Sequence, residues 1–222
     1  MLRYVKQLKI FFLVLAVVSG VIIYFMYSAL DTNKPLPIYQ PNRIDASLVD
    51  SSIQHKKKYH TIADFKLINQ NGDTITQANY EDKIYVADFF FTTCQTICPI
   101  MTTQMYRIQK EILNDDEVML LSHSVTPEID SVEQLKRYAL EKGVNDYKWN
   151  LVTGDRKHIY DLARKSYLVV KDDGSENYGM IHTENFALID KKKQIRGLYN
   201  GVSPASIDSL IQDIQRLKKE YQ

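Results

Sequence analysis

The longest apolar feature of the chain runs from Ile10 to Leu30, 21 residues without a charge, which matches the ~20 that a bilayer-crossing helix requires. Arg3, Lys6 and Lys9 precede it, so the N-terminus is expected to stay in the cytoplasm and everything after Leu30 to be exported. A cleaved signal peptide has a shorter apolar core and ends in small residues at its cleavage site. Tyr27-Ser28-Ala29-Leu30 fits that ending poorly, and the pattern predicts a basic cytoplasmic segment (1–9) followed by an uncleaved anchor (10–30). Residues 31–58 carry Pro35, Pro37 and Pro41, little apolar periodicity and the run Lys56-Lys57-Lys58, and are expected to form a linker.

From Tyr59 to Gln222 strand-like and helix-like runs alternate. Residues 61–68 predict a first strand, closed by the turn signal Asn71-Gly72-Asp73. Ile84–Phe91 is dense in aliphatic and aromatic residues, as a central strand buried on both faces would be. Pro99 suits the first turn of a helix, and Met101, Met105, Ile108 and Ile112 keep one apolar face behind it. Val118–Val125 is the next buried strand, and Ser131 with Gln134 has capping-box spacing for a helix to Lys142, stopped by Gly143. Trp149–Thr153 predicts a short strand, and Asp155 to about Lys165 a helix. Phe186–Asp190 and Ile195–Tyr199 read as a hairpin across Lys191–Gln194, and Ser203-Pro204 opens a last helix. This order predicts an α/β thioredoxin-like sandwich, a central mixed sheet flanked by helices, behind one N-terminal transmembrane helix.

Composition adds compartment and excludes one class of partner. Three of the 28 basic residues and none of the 27 acidic ones fall within residues 1–30, leaving the exported part 25 against 27, a balance of −2. Such a balance gives no support for nucleic-acid binding. An exported domain meets oxidising conditions in which a pair of thiols can form a disulfide, cycle, or hold a metal.

The chain has two cysteines, Cys94 and Cys98, in the turn between the central strand and the helix opened by Pro99. A helix N-terminus lowers thiol pKa and favours the thiolate that attacks disulfides and binds metals. Three residues separate the pair, so it is not the Cys-x-x-Cys of ordinary thioredoxin-like oxidoreductases. Two sulfurs alone do not make a structural zinc site, and a third metal ligand would be sought among five histidines. His55 and His60 lie in or beside the linker and are expected to be exposed, and His158 sits among charged helix neighbours. His123, inside an apolar strand, reads first as a buried imidazole and ranks second as a ligand. His182, on a loop before the strand Phe186–Asp190, ranks first. Met101 and Met105 read as core packing, and Met180 is not assigned.

Phe89-Phe-Phe-Thr-Thr-Cys94-Gln-Thr-Ile-Cys98-Pro99, Ser122-His-Ser-Val-Thr-Pro127, Trp149-Asn-Leu-Val-Thr-Gly154, and His182 ahead of Phe186-Ala-Leu-Ile-Asp190 together resemble the Sco/SenC proteins, over about residues 60–220. The resemblance implies a membrane-anchored copper metallochaperone that helps assemble the dinuclear copper centre of cytochrome c oxidase. Its implied copper ligands are Cys94, Cys98 and His182. The implied partners are the copper-site subunit of the oxidase and a copper donor protein, with the membrane engaged through residues 10–30. Thiolates suit Cu(I), imidazole also suits Cu(II), and three ligands with an open flank permit transfer. Many members carry Pro and an acidic residue where this chain has Gln95 and Thr96, and Asp where it has Thr126. The competing reading is a thiol–disulfide oxidoreductase that uses Cys94 and Cys98 on cysteines of an exported copper-site acceptor. A fixed Cys94–Cys98 disulfide in a binding domain is the third.

Overall fold

The computed structural model describes residues 2–29, 34–170 and 183–222. The chain forms two compact units, residues 1–35 and 36–222. The first contains helix α1 (Leu2–Ala29), whose stretch Lys9–Met26 is apolar and long enough to cross a membrane.

The second unit is built on a seven-stranded mixed sheet in the order β2-β1-β5-β4-β3-β6-β7. Its strands are β1 (Lys66–Asn69), β2 (Thr74–Thr76), β3 (Ile84–Phe90), β4 (Val118–Ser124), β5 (Trp149–Thr153), β6 (Asn185–Ile189) and β7 (Ile195–Asn200). The three central strands β3, β4 and β5 are parallel, and β1, β2, β6 and β7 add antiparallel hairpins outside them. Helices α2 (Cys98–Glu111), α3 (Val132–Lys142), α4 (Arg156–Asp161) and α5 (Pro204–Lys219) complete the unit.

Strand alternation divides the core into two layers. Ile84, Val86 and Phe90 pack with Met101, Met105 and Ile108 of α2, Leu135 of α3 and Leu210 of α5. Tyr85, Ala87 and Phe89 point the other way, against Ile159, Leu162, Tyr167 and the N-terminal Val49 and Ile53. Because both faces are covered, all seven residues of β3 are buried. The expected caps form: the Ser131 hydroxyl accepts from Gln134 N, Gly143 ends α3 at φ +70°, and the Ser203 hydroxyl accepts from Ser206 N.

Three expectations change. The first strand is shorter than 61–68, because Ile62 N donates to Lys193 O and Ala63 N to Ser166 Oγ, outside any ladder. A short second strand, β2, follows the Asn71-Gly72-Asp73 turn, which therefore joins a hairpin rather than ending one strand. The helix expected from Asp155 to Lys165 leaves the α register at Asp161 and continues as a π turn over Leu162–Ser166.

The stretch read as a linker also differs beyond Pro35. Leu36, Val49 and Ile53 are buried, Tyr39 N donates to Ile195 O, and the Arg196 guanidinium donates to the carbonyls of Leu36 (2.7 Å) and Pro37 (3.2 Å). Arg196 also pairs with Asp190 at 3.0 Å and Glu220 at 2.5 Å, tying this segment to β7 and the end of α5. His60, expected in solvent, is buried with its Nε2 2.8 Å from Ser166 O.

Candidate metal and dithiol site

The thiol turn hangs from the carboxyl end of the most buried strand. β3 stops at Phe90, residues 91–97 turn, and Cys98 begins α2 with Pro99 in its first turn, where the missing N–H has no helical partner to lose. Cys94 N donates to Phe91 O at 3.3 Å, closing a tight turn that brings Cys94 to the N-terminus of α2.

Both cysteines are free thiols, and their surroundings differ. Cys98 is buried against the α2 core, whereas Cys94 is half-buried. The Cys98 N–H points at Cys94 Sγ, 3.5 Å away, and the Thr96 hydroxyl lies 3.6 Å from the same sulfur. Burial works against a Cys94 thiolate, but the backbone N–H groups of Cys98 and Thr96 and the Cys98 and Thr96 side chains outweigh it and bring the thiol down to about 7. Burial pushes Cys98 up to about 12, with the neighbouring Cys94 and the Asp88 carboxyl adding to the effect against the Phe91 backbone. The pair thus combines an accessible thiolate with a buried, protonated thiol.

A polar group lies within the sheet on the same side. Ser122 donates to Asp88, and Trp149 Nε1 donates to Ser122 Oγ at 2.8 Å. Burial raises Asp88 to about 7, opposed by its bond from Ser122. The Thr102 and Tyr138 hydroxyls meet at 2.7 Å, and the Tyr138 ring packs on Phe90. Asp88, Ser122 and Asp130 were not singled out from the sequence. The available signal was a carboxylate in the middle of an otherwise apolar strand, because a buried acid needs partners.

The histidines separate by strand geometry. His123 follows Ser122 on β4 and points to the opposite layer, stacked on Phe89 at 4.6 Å and 13° and edge-on to Tyr167. Its Nδ1 lies 3.3 Å from Asp88 O, its Nε2 has no partner among the described residues, and burial lowers it to about 3. As a ligand beside Cys94 and Cys98 it is excluded, because the sheet stands between. His55 is exposed and His158 is on α4. Met101 and Met105 are core residues. His182 and Met180 lie outside the described residues. β6 begins three residues after His182, and its antiparallel register places that end beside the carboxyl half of β3. Among the described residues no group of three or more His, Cys, Asp or Glu side chains is placed to hold a metal ion.

A mixed sheet with helices on both faces and two thiols at the strand–helix junction defines a thioredoxin-like dithiol protein. The family model for SCO1/SenC matches residues 53–219, and the chain belongs to that family. It is 32% identical to the SCO1 protein homolog of Bacillus subtilis over 160 residues, covering 70% of this chain and 82% of that one. Among solved structures it is similar to BsSco, described as a member of the Sco family of cytochrome c oxidase assembly proteins with a disulfide switch. That match has a TM-score of 0.62 and 31% identity, over 72% of this chain and 94% of that one. It is also similar to Arabidopsis thaliana ScoI with copper bound, with a TM-score of 0.55 and 25% identity, over 69% and 98% of the two chains.

Proposed function

We propose that this chain is a membrane-anchored copper metallochaperone that carries copper on Cys94, Cys98 and His182 to the copper-site subunit of cytochrome c oxidase, on the exported side of the membrane. The observation that carries the reading is the thiol pair at the α2 N-terminus: two free sulfurs four residues apart, Cys94 half-buried with the Cys98 backbone N–H directed at it, and Cys98 buried. Soft thiolates select Cu(I), and a site with fewer than four protein ligands leaves a coordination position for the acceptor. The copper-bound Arabidopsis relative and the membership of BsSco in a family of cytochrome c oxidase assembly proteins support the same reading. α1 supplies a helix of membrane-spanning length.

The test is copper stoichiometry and Cu(I) affinity of the full chain in detergent micelles. One copper per chain is expected for the wild type, with a loss of about tenfold or more for His182→Ala and near-complete loss for Cys94→Ser. Wild-type affinity in His182→Ala sinks the three-ligand site. A second reading, a thiol–disulfide oxidoreductase acting on the acceptor's cysteines, is favoured by the division into accessible Cys94 and buried Cys98. It requires both cysteines and tolerates His182→Ala in a dithiol-reductase assay.

A further inference from the structure

Asp130 is buried without a positive charge paired to it among the described salt bridges, and its carboxylate reaches the thiol turn. Oδ1 accepts from Thr92 Oγ1 at 2.5 Å. Oδ2 accepts from Thr92 N at 3.3 Å, Ser124 Oγ at 2.5 Å and Thr126 Oγ1 at 3.0 Å. Gln134 Nε2, on α3, donates to Thr92 Oγ1 at 3.0 Å.

The 126–131 turn does not itself require this carboxylate. Ile129 N and Asp130 N both donate to Thr126 O, and Ser131 caps α3 with its own hydroxyl. What the carboxylate joins is separate in sequence: the end of β4 and the turn between β3 and α2. Thr92 is the residue after Phe91 in the turn that Cys94 N closes on Phe91 O. Fixing both the N–H and the hydroxyl of Thr92 fixes where that turn delivers Cys94, and therefore whether Cys94 Sγ meets the Cys98 N–H.

From this geometry we infer that Asp130 is the positioning residue of the thiol turn, clamping Thr92 so that Cys94 is held at the α2 N-terminus in a geometry ready for metal capture. The clamp works through charge-assisted hydrogen bonds, which are shorter and stronger than neutral ones, and it is protected from water by burial. Thr126 belongs to it as a donor, which gives a role to the residue that stands where many family members have Asp.

The inference rests on the metallochaperone reading for its copper readout and on thiol chemistry alone for the other. In the metal-free full chain in micelles, Thr92→Val removes the hydroxyl that bridges Asp130 to the thiol turn, whereas Ser166→Ala, in the opposite core layer, removes a hydroxyl that accepts from Ala63 N and belongs to no part of the clamp. Both are expected to lower the melting temperature by a few degrees, as loss of one or two hydrogen bonds does. Thr92→Val is expected in addition to slow alkylation of Cys94 at pH 7 by roughly threefold to fivefold, as thiolate character falls, and to weaken Cu(I) binding about tenfold. Ser166→Ala is expected to leave both unchanged. Asp130→Ala breaks all four bonds and gives the larger effect if it folds, while the isosteric Thr92→Val keeps the test open if it does not. A Thr92→Val protein that alkylates and binds copper like Ser166→Ala overturns the clamp. A wild type that takes up no copper overturns the metallochaperone reading and leaves the alkylation comparison standing.

Discussion

Two buried titratable groups on neighbouring strands have pKa values displaced in opposite directions, and their effects on stability nearly cancel. Asp88 is raised from 3.8 to about 7 and His123 is lowered from 6.5 to about 3, in both cases chiefly by burial. Asp88 takes up a proton in the folded state, so its contribution to stability is fully present below pH 3.8 and is lost as pH rises through 7. His123 stays neutral in the fold, so its contribution is present above pH 6.5 and is lost as pH falls towards 3. At about 1.4 kcal/mol per pH unit within each window, acidification from pH 7.5 to 5 adds about 2–3 kcal/mol through Asp88 and removes about 2 kcal/mol through His123. Asp88→Asn mimics the protonated acid, and His123→Phe keeps an aromatic ring among Phe65, Phe89 and Tyr167. Urea unfolding of the full chain in micelles, followed by the fluorescence of buried Trp149, reads the effect. Relative to the wild type, Asp88→Asn is expected to lose about 2–3 kcal/mol over that interval and His123→Phe to gain about 2 kcal/mol. His60, also lowered by burial, and Cys94 titrate in all three proteins and drop out of the differences. Either variant running parallel to the wild type across the interval would falsify the displaced pKa assigned to its residue.

Other consequences follow from the thiols and from the Arg196 clasp. With Cys94 at about 7 and Cys98 at about 12, iodoacetamide is expected to modify the metal-free protein once, at Cys94, with a rate that reaches half its plateau near pH 7; equal labelling of the two in a peptide digest contradicts the asymmetry. Arg196→Met leaves Asp190 buried without its cation and frees the carbonyls of Leu36 and Pro37. Breaking such a pair costs about 3–5 kcal/mol, and proteolysis in the 36–58 stretch should increase in step. An unchanged urea midpoint and cleavage pattern would show that this segment is held without the clasp.

Local pattern was enough for most of the secondary structure. β5 begins and ends where the sequence placed it, and α3 and α5 begin at the expected caps. Those elements are specified by short-range signals: apolar periodicity, Ser caps and Pro at the first helical turn. The π turn at Leu162–Ser166 was not legible, since its departure from α geometry accompanies bonds to residues far off in sequence, Ser166 to His60 and Ala63. The linker reading failed beyond Pro35 for the same reason. A proline-rich stretch with weak periodicity looks unstructured until Arg196, 160 residues away from Leu36, supplies a partner for its carbonyls.

For the site, sequence alone determined that two thiols share a strand–helix turn, that their spacing is wider than an ordinary redox motif, and that the chain resembles the Sco/SenC proteins. Strand alternation, once the β3–β4 register is known, decided that Ser122 and not His123 shares the layer of Asp88. Only the tertiary structure made Cys94 and Cys98 chemically unequal, by burying one sulfur and directing a backbone N–H at the other. Asp130 likewise gains its place from the fold alone. Its partners Thr92, Ser124 and Thr126 come from two parts of the chain, and side chains that meet only through parallel pairing of β3 with β4 carry no local pattern by which they could be read beforehand.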